Sequence, residues 1–519
     1  MFQAIRHSCK LLKTGRTLAA HDALMSKNQV AQLPWFARLG LRLAKFGTRK
    51  PAVSGNPAAV ALASLGPSYI KLGQFLATRP DLVGPHRAFD LKTLQDKLPS
   101  FPMAAARAII RRNLGADVEQ LFTEFGLPVA AASIAQVHKA VSPEGRELAV
   151  KVLRPGIAKR FQSDLGSFVF AARLMQRFSA EGRRLRPVDA VRMLEASMKQ
   201  ELDLRMEASA MAEMAVNTKD DPGFRIPKVD WQRTAREVLT TEWIDGTPIA
   251  DVEALRARGF DLKALGDKVI QSFLRQAIRD GFFHADMHPG NLFVDHAGNL
   301  VAVDFGITGR LGPKESMFLA EILYGFITRD YRRVAQVHFD AGYVPSDQDP
   351  AIFAQALRAI GEPIMDRDAS EISMARLLTQ LFEVTAQFNM QAQPQLLLLQ
   401  KTMVVVEGVA RTLNPNLNMW VTAEPVVRGW IERKLGPLGK IEDATGSLGK
   451  LIFGLPAMLE DAQKATVMLA GMAQSGGLKL DAATAGQLAF GHRRSDWLTR
   501  ICLLIAAVSL AVIAINLSF

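Results

Sequence analysis

The sequence predicts an α+β chain of two lobes, the first small and strand-containing, the second larger and helical. A helical extension precedes them and a transmembrane helix closes the chain. Three observations carry that reading. Turn residues and the strand-like run Glu147-Leu-Ala-Val-Lys-Val-Leu break a helical pattern between 121 and 155. Two short apolar runs, Asn291-Leu-Phe-Val and Leu300-Val-Ala-Val-Asp, flank the turn-like Asp295-His-Ala-Gly-Asn. From Ile501 to Phe519 no residue is charged. A chain of 519 residues has room for more than one domain.

Taken in order, residues 1–55 form a basic N-terminal arm. The first 50 residues carry ten Lys or Arg and one acid, Asp22. Trp35, Phe36, Leu39, Leu41 and Leu43 interleave with Arg38, Arg42 and Lys45. The pattern suits a solvated basic surface or an arm lying on an anionic bilayer. Residues 56–120 read as a helical extension broken at Pro67, Pro80 and Pro102. The small lobe covers 121–245. It contains the strand at 147–153, a long helical stretch over 157–216, and a second strand, Glu237-Val-Leu-Thr-Thr-Glu-Trp-Ile, ended by Asp245-Gly246. The large lobe covers 246–435, with helix at 262–280 and helical pattern after 310. An amphipathic linker, 436–496, follows; Leu451–Met472 is apolar in patches but holds Glu460, Asp461 and Lys464. Residues 497–519 are the expected tail anchor. A helix over Ile501–Phe519 rises about 28 Å, against a hydrocarbon core of about 30 Å. Arg493, Arg494 and Arg500 precede it, which places the bulk of the chain on the cytoplasmic side of the inner membrane. A buried core helix is the competing reading, and it fits less well because the run has no polar face.

Bulk composition is that of a globular protein, 49% hydrophobic and 22% charged. The net charge of +12 favours anionic partners: nucleotide, nucleic acid or anionic lipid. Cys9 and Cys502 lie far apart, so neither a disulfide framework nor a cysteine metal site follows. No secretory leader, internal repeat or low-complexity tract is visible.

The chemistry concentrates at 284–306. His284-Ala-Asp286 is followed five residues on by Asn291, and then by Asp304-Phe305-Gly306. Phosphoryl transfer needs positioned metal ions and a carboxylate near the nucleophile more than covalent help. Asp286 suits the base, while Asn291 and Asp304 offer the hard oxygens that Mg2+ prefers. The spacing matches the protein-kinase catalytic and metal loops. An isolated D-F-G is a common turn; joined to the Asp–x4–Asn loop across a strand pair it is specific. Upstream, Ala149-Val-Lys151 sits on a strand, and a lysine there can neutralise the α- and β-phosphates. Before it runs a small-residue loop, Val129, Ala130, Ala131, Ala132, Ser133, Ile134, Ala135 and Gln136, whose backbone can approach phosphates. The loop has no glycine, so a stiffer phosphate cover is expected. Glu201-Leu-Asp203-Leu-Arg-Met-Glu207 reads as helix, and Glu201 is the expected partner of Lys151; a solvated acidic stripe fits the spacing equally well. Glu242 and Ile244 end a strand as an adenine-binding hinge does. Together these pieces predict a protein-kinase-like bilobal fold.

With Lys71-Leu-Gly73-Gln74 added, the chain resembles the UbiB family of atypical kinases, which serve ubiquinone (coenzyme Q) biosynthesis. The matching segments are K-x-G-Q, the alanine-rich loop continuing S-I-A-Q-V-H, AVKV, ELDLRMEA, FFHADMHPGN, VDFG, and the stretch from Gln400 through Glu407, Gly408 and Arg411 to Pro415. They cover roughly 60–420, and the alanine-rich loop is itself a family trait. Ala135 departs from the glycine of many relatives. The resemblance implies K-x-G-Q helices over the site where a protein kinase receives its peptide, with Lys71, Gly73, Gln74, Asp203 and Glu207 as regulatory positions. It implies ATP binding and hydrolysis with Mg2+. It also implies association with the membrane, with polyprenyl-phenol precursors and with enzymes of the ubiquinone pathway; nucleic acid is not an expected partner. The oligomeric state is not legible. A true kinase with an unidentified acceptor, or a pseudokinase scaffold, are the alternatives. The scaffold is disfavoured because Lys151, Asp286, Asn291 and Asp304 are all present. A monooxygenase reading fails for want of a dinucleotide-binding G-x-G-x-x-G.

Overall fold

A computed structural model describes residues 2–21, 56–77, 98–178, 186–365 and 394–435, with 79, 83–84, 90–91, 94, 384 and 387–390. The linker read at 436–496, the membrane anchor read at 497–519 and residues 22–55 of the arm lie outside them. Among the described residues no helix is long and apolar enough to cross a membrane.

The small lobe is built on a four-stranded antiparallel sheet in the order β1 (Glu124–Ala131), β2 (Ala135–Val141), β3 (Glu147–Leu153), β5 (Val238–Glu242). Alternation along β3 decides what each side chain does. Leu148, Val150 and Val152 face outward and pack with Ala140 and Val238 under Phe101, Ala106, Ile109 and Ile110. The last three belong to α4 (Met103–Leu114), which starts after Pro102 and stops at Gly115 in a left-handed cap, φ +73°. Ala149 and Lys151 therefore face the other way. Before α4 lie α1 (Phe2–Ala20), α2 (Pro57–Leu65) and α3 (Pro67–Ala77); α5 (Val118–Leu121) follows it. Asn56 caps α2 by accepting from Ala58 and Ala59.

The helical stretch read as continuous over 157–216 is three helices: α6 (Ile157–Phe178), α7 (Pro187–Glu201) and α8 (Leu204–Asn217). Pro187 opens α7 at a position where its missing N–H costs nothing. Asp203 caps α8, accepting from the Arg205 amide at 3.2 Å, so the chain turns between Glu201 and Leu204. Helix α1 lies along α6: His7 Nδ1 is 2.9 Å from Ser167 Oγ, and Lys10 pairs with the buried Asp164. Asp164 also accepts from Ser68 at 2.6 Å, and Thr14 meets the Tyr69 hydroxyl at 2.6 Å. These contacts join α1, α3 and α6 into one layer.

In the large lobe, β4 (Phe224–Arg225), β6 (Gly246–Pro248), β8 (Leu292–Asp295) and β9 (Leu300–Ala302) form a second sheet, ordered β4-β9-β8-β6. β4 runs parallel to β9; β8 and β9 are a hairpin pairing Leu292 with Ala302 and Val294 with Leu300. A two-stranded ladder joins β7 (Phe282–His284) to β10 (Thr308–Arg310). The helices are α9 (Val252–Ala257), α10 (Leu262–Leu274), α11 (Pro313–Ile327), α12 (Tyr331–Asp340), α13 (Pro350–Met365), α14 (Pro394–Leu413) and α15 (Met419–Leu435). α10 runs into one π turn, Arg275–Arg279, immediately before β7. Such turns concentrate at functional sites. Here it aims Gln276 Oε1 at the His284 amide, 3.1 Å away.

Candidate active site

The inward face of β3 presents Lys151 to two carboxylates from different parts of the chain. Lys151 Nζ donates to Glu207 Oε1 at 2.8 Å and to Asp304 Oδ1 at 3.0 Å. Glu207 sits in the first turn of α8, which buries Leu204, Ala208, Met211 and Met214 against the core. Asp304 follows β9 by two residues and has φ +60°, a left-handed conformation that few non-glycine residues hold. Its Oδ1 also accepts from the Gly306 amide at 3.3 Å. A non-glycine residue held in this conformation by its neighbours carries local strain of the kind that clusters at functional sites.

The three groups shift one another. Burial opposes charge on Lys151, but the Asp304 and Glu207 carboxylates outweigh it and raise its pKa. Burial pushes the Glu207 carboxyl up to about 7, against the pull of Lys151, with Asp304 adding to the rise. Burial opposes ionisation of Asp304 too, yet Lys151 holds its pKa well below the usual carboxylate range, with Lys71 contributing. Two carboxylates share one lysine, and the better-solvated Asp304, 48% exposed, keeps the charge.

Glu201 is not the partner of Lys151. It ends α7 and pairs with Lys71 of α3 at 2.7 Å, both side chains nearly buried. The turn at Asp203 separates the two acids, so Glu207, expected to be regulatory, occupies the place given to Glu201. Asp203 is the cap of α8 and pairs with Arg205. Gly73 lies where a Cβ would collide with Leu62 and Leu94, so glycine lets α3 pack closely; Gln74 is half-buried beside it. A further pair steadies α8: Arg310 of β10 donates to both Glu213 oxygens, one at 2.7 Å, and lies 4.2 Å over the Phe282 ring.

The loop after β7 holds Asp286 and Asn291. His284 is buried and neutral: its Nδ1 accepts from the Asp286 amide at 3.1 Å and its Nε2 donates to the Val303 carbonyl at 3.2 Å. Burial lowers its pKa, and the two hydrogen bonds set that tautomer. Asn291, buried at the loop, donates through Nδ2 to the Asp286 carbonyl at 3.0 Å, and its Oδ1 has no protein partner among the described residues. The Asn291 carbonyl accepts from Val303, bringing the loop beside Asp304. The Asn291 amide oxygen and the Asp304 carboxylate are hard oxygens of the kind that a divalent cation takes.

The small-residue loop is a strand turn. Val129, Ala130 and Ala131 belong to β1, with Val129 exposed; Ala132, Ser133 and Ile134 form the tip, closed by Ala132 N to Ala135 O at 2.8 Å. Arg154 fastens this tip, donating through Nε and Nη2 to the Ala132 carbonyl at 3.0 and 2.7 Å. The loop is held where kinases have glycine freedom. Ser133 Oγ is buried with no hydrogen-bond partner. Gln136 is a correction: its side chain points to the outer face, bonded to the Phe101 backbone and to His138. The inward residues are Val137, which pairs with Lys151 in register, and Ala149; both were missed, though alternation from Lys151 marks them. At the hinge, Glu242 spends its side chain on Arg225 and its amide on Lys228 O, and its carbonyl accepts from Thr241 Oγ1 at 3.4 Å. The Ile244 amide, two residues on, has no partner among the described residues.

Residues 93–338 match the family model described as the ABC1 atypical kinase-like domain, and 357–418 match the UbiB helical domain. The chain is 44% identical over 409 residues to the probable protein kinase UbiB of Marinobacter nauticus, covering 78% of this chain and 75% of that one. It is 40% identical over 428 residues to the protein of the same name from Azotobacter vinelandii, covering 81% and 80%.

This chain belongs to the UbiB family.

The kinase-like part of the UbiB chain holds Lys151, Glu207, Asp286, Asn291 and Asp304; Lys71, Gly73 and Gln74 precede it. The UbiB helical part spans the end of α13 and α14, whose Thr402 donates to the Ala285 carbonyl at 3.1 Å, just before the loop that holds Asp286 and Asn291. Among solved structures, the Mycobacterium tuberculosis protein Rv3197 in its erythromycin complex is similar over 78% of this chain and 99% of that one, with 24% identity and TM-score 0.49. That likeness is too distant to add to the family assignment.

Proposed function

We propose that this UbiB chain binds Mg-ATP between its lobes and hydrolyses it in support of ubiquinone biosynthesis at the membrane. The observation that carries the reading is the convergence of Lys151, Glu207 and Asp304, with the Asn291 loop tied to Val303 next to Asp304. Glu207 holds Lys151 in place to meet phosphate oxygens. The Ile244 amide and Glu242 carbonyl form an adenine edge, with Val137 and Ala149 above it. Asn291 and Asp304 would hold the metal. Mg2+ neutralises phosphate charge when bound. Asp286, half-buried at the loop, orients the attacking hydroxyl or water and accepts its proton.

Water is favoured over a peptide as acceptor because the chain passes directly from Asp304-Phe305-Gly306 through β10 into α11 at Pro313, leaving no extended platform. The membrane reading draws on the uncharged run at 501–519. It also draws on α1, where Arg6, Lys13 and Arg16 are exposed and no acid occurs. A polyprenyl-phenol precursor and pathway enzymes are the proposed partners.

ATP turnover by the purified chain, with and without anionic liposomes and a prenylphenol analogue, tests this. Asp286→Asn lowers turnover by about 10²- to 10³-fold while nucleotide still binds. Free labelled phosphate with no labelled acceptor is the expected product; label on a protein or lipid would make the chain a kinase instead. The pairing itself is tested by two alanines. Glu207→Ala lowers turnover by about tenfold or more, because Lys151 loses its anchor, whereas Glu201→Ala leaves the Lys151 pair intact and changes turnover less. Equal losses would contradict the assignment of Glu207.

A further inference from the structure

Arg225 is the last residue of β4, on the edge of the large-lobe sheet. Its Nε donates to Asp295 Oδ2 at 3.0 Å, and its Nη1 donates to both oxygens of Glu242 at 3.0 and 3.1 Å. The two carboxylates belong to different lobes. Glu242 ends β5, the strand that becomes the hinge, and its Oε2 also accepts from the Lys228 amide at 3.2 Å. Asp295 closes the β8–β9 hairpin, with Oδ1 accepting from the Ala297 and Asn299 amides at 3.0 and 2.8 Å. Asp295 also stands directly opposite Gly246 in the β6–β8 ladder. The open end of that hairpin carries Asn291 on one side and Asp304 on the other. A guanidinium is a rigid planar fork, so donors on its two sides fix the separation of what they hold. Without Arg225, the two carboxylates would lose the cation they share.

We infer that Arg225 is a positioning residue that sets the register between the adenine edge of the hinge and the metal-binding end of the hairpin, and so sets base preference. The inference rests on the nucleotide site proposed above. The hinge reads the base through the Ile244 amide and Glu242 carbonyl, while the hairpin holds the phosphate end. A nucleotide spans both, so a hinge that shifts relative to the hairpin loses the base contact whenever the phosphates are seated. In the adenine pose guanine places an acceptor (O6) at the carbonyl and a donor (N1–H) at the amide, a mismatch in wild type already, so the loss falls on ATP.

The test uses the full chain in nanodiscs with two readouts. The first is the ratio of kcat/KM for ATP over GTP; the second is amide hydrogen exchange of the nucleotide-free protein over 242–249 and 292–302. Arg225→Met is expected to lower the ATP:GTP ratio by about fivefold or more, mostly through KM for ATP. It also speeds exchange in both segments. Arg225→Lys, which keeps the charge but not the fork, falls between. Glu242→Gln cuts the charge on one arm alone and moves both readouts the same way by less; it decides the matter if Arg225→Met does not fold. An unchanged ratio with unchanged exchange overturns the inference. Faster exchange with an unchanged ratio also overturns the assigned role, leaving Arg225 a structural tie. If the wild-type chain takes up neither nucleotide, the site reading fails and the base preference with it. Exchange then still decides whether Arg225 fastens hinge to hairpin.

Discussion

Lys151→Met is expected to abolish ATP turnover, by at least about 10³-fold, and to make stability depend on pH. The first effect follows from position: Lys151 is the cation that links the small lobe to Asp304, and methionine fills the space without the charge. The second follows from what remains. Glu207, 7% exposed, would face Asp304 with nothing between them. Removing one partner of a buried pair costs about 3–5 kcal/mol when the other stays charged. Glu207 has an escape, since burial and Asp304 already hold its carboxyl at about 7 and loss of Lys151 raises it further. A carboxyl raised in the folded state binds more protons there than in the unfolded chain. Its stability is therefore fully present below the unfolded pKa of about 4.3 and is lost as pH rises through 7 and above. The variant should match wild type closely at pH 5.5 and fall below it by up to about 2 kcal/mol at pH 8.5 in denaturant unfolding. A pH-independent difference would mean that Glu207 is solvated and the triad is not formed as described.

Asp304→Asn is the second large effect and separates chemistry from folding. Asp304 is nearly half exposed, so its pair with Lys151 adds little to stability in water, about 1 kcal/mol or less. The amide keeps an oxygen for the Gly306 N–H and tolerates the left-handed backbone. Metal affinity is a different matter, because one of two hard oxygens loses its charge. Turnover should fall by about 10²-fold or more with a near-native unfolding midpoint, measured side by side on wild type and variant. Normal turnover would remove Asp304 from the metal site.

Much of this site was legible in the sequence because its pieces are local. Lys151 lies in a strand whose alternation is plain, and Asp286, Asn291 and Asp304 keep fixed spacings around a hairpin. What failed was choice between neighbours. The segment from Glu201 to Glu207 has helical composition throughout, and only the cap at Asp203 shows that it belongs to two helices. Aspartate is a known start signal, but inside a helical run it also passes for a solvated acid. Gln136 failed for a related reason: the strand period was visible, yet which face met the cleft depended on the register of Val137 with Lys151. Arg225 carried no local signal, since its partners lie 17 and 70 residues away.

The most direct test is Mn2+ electron paramagnetic resonance on the full chain, with Mn2+ standing in for Mg2+. ATP alone also binds Mn2+, so the readout is the change relative to a protein-free Mn-ATP control. Wild-type protein should draw one equivalent of Mn-ATP onto itself, and Asp304→Asn should leave most of it in solution. Equal ATP-dependent Mn2+ uptake by the two proteins, or none by wild type, would contradict a metal-nucleotide site between Lys151, Asn291 and Asp304.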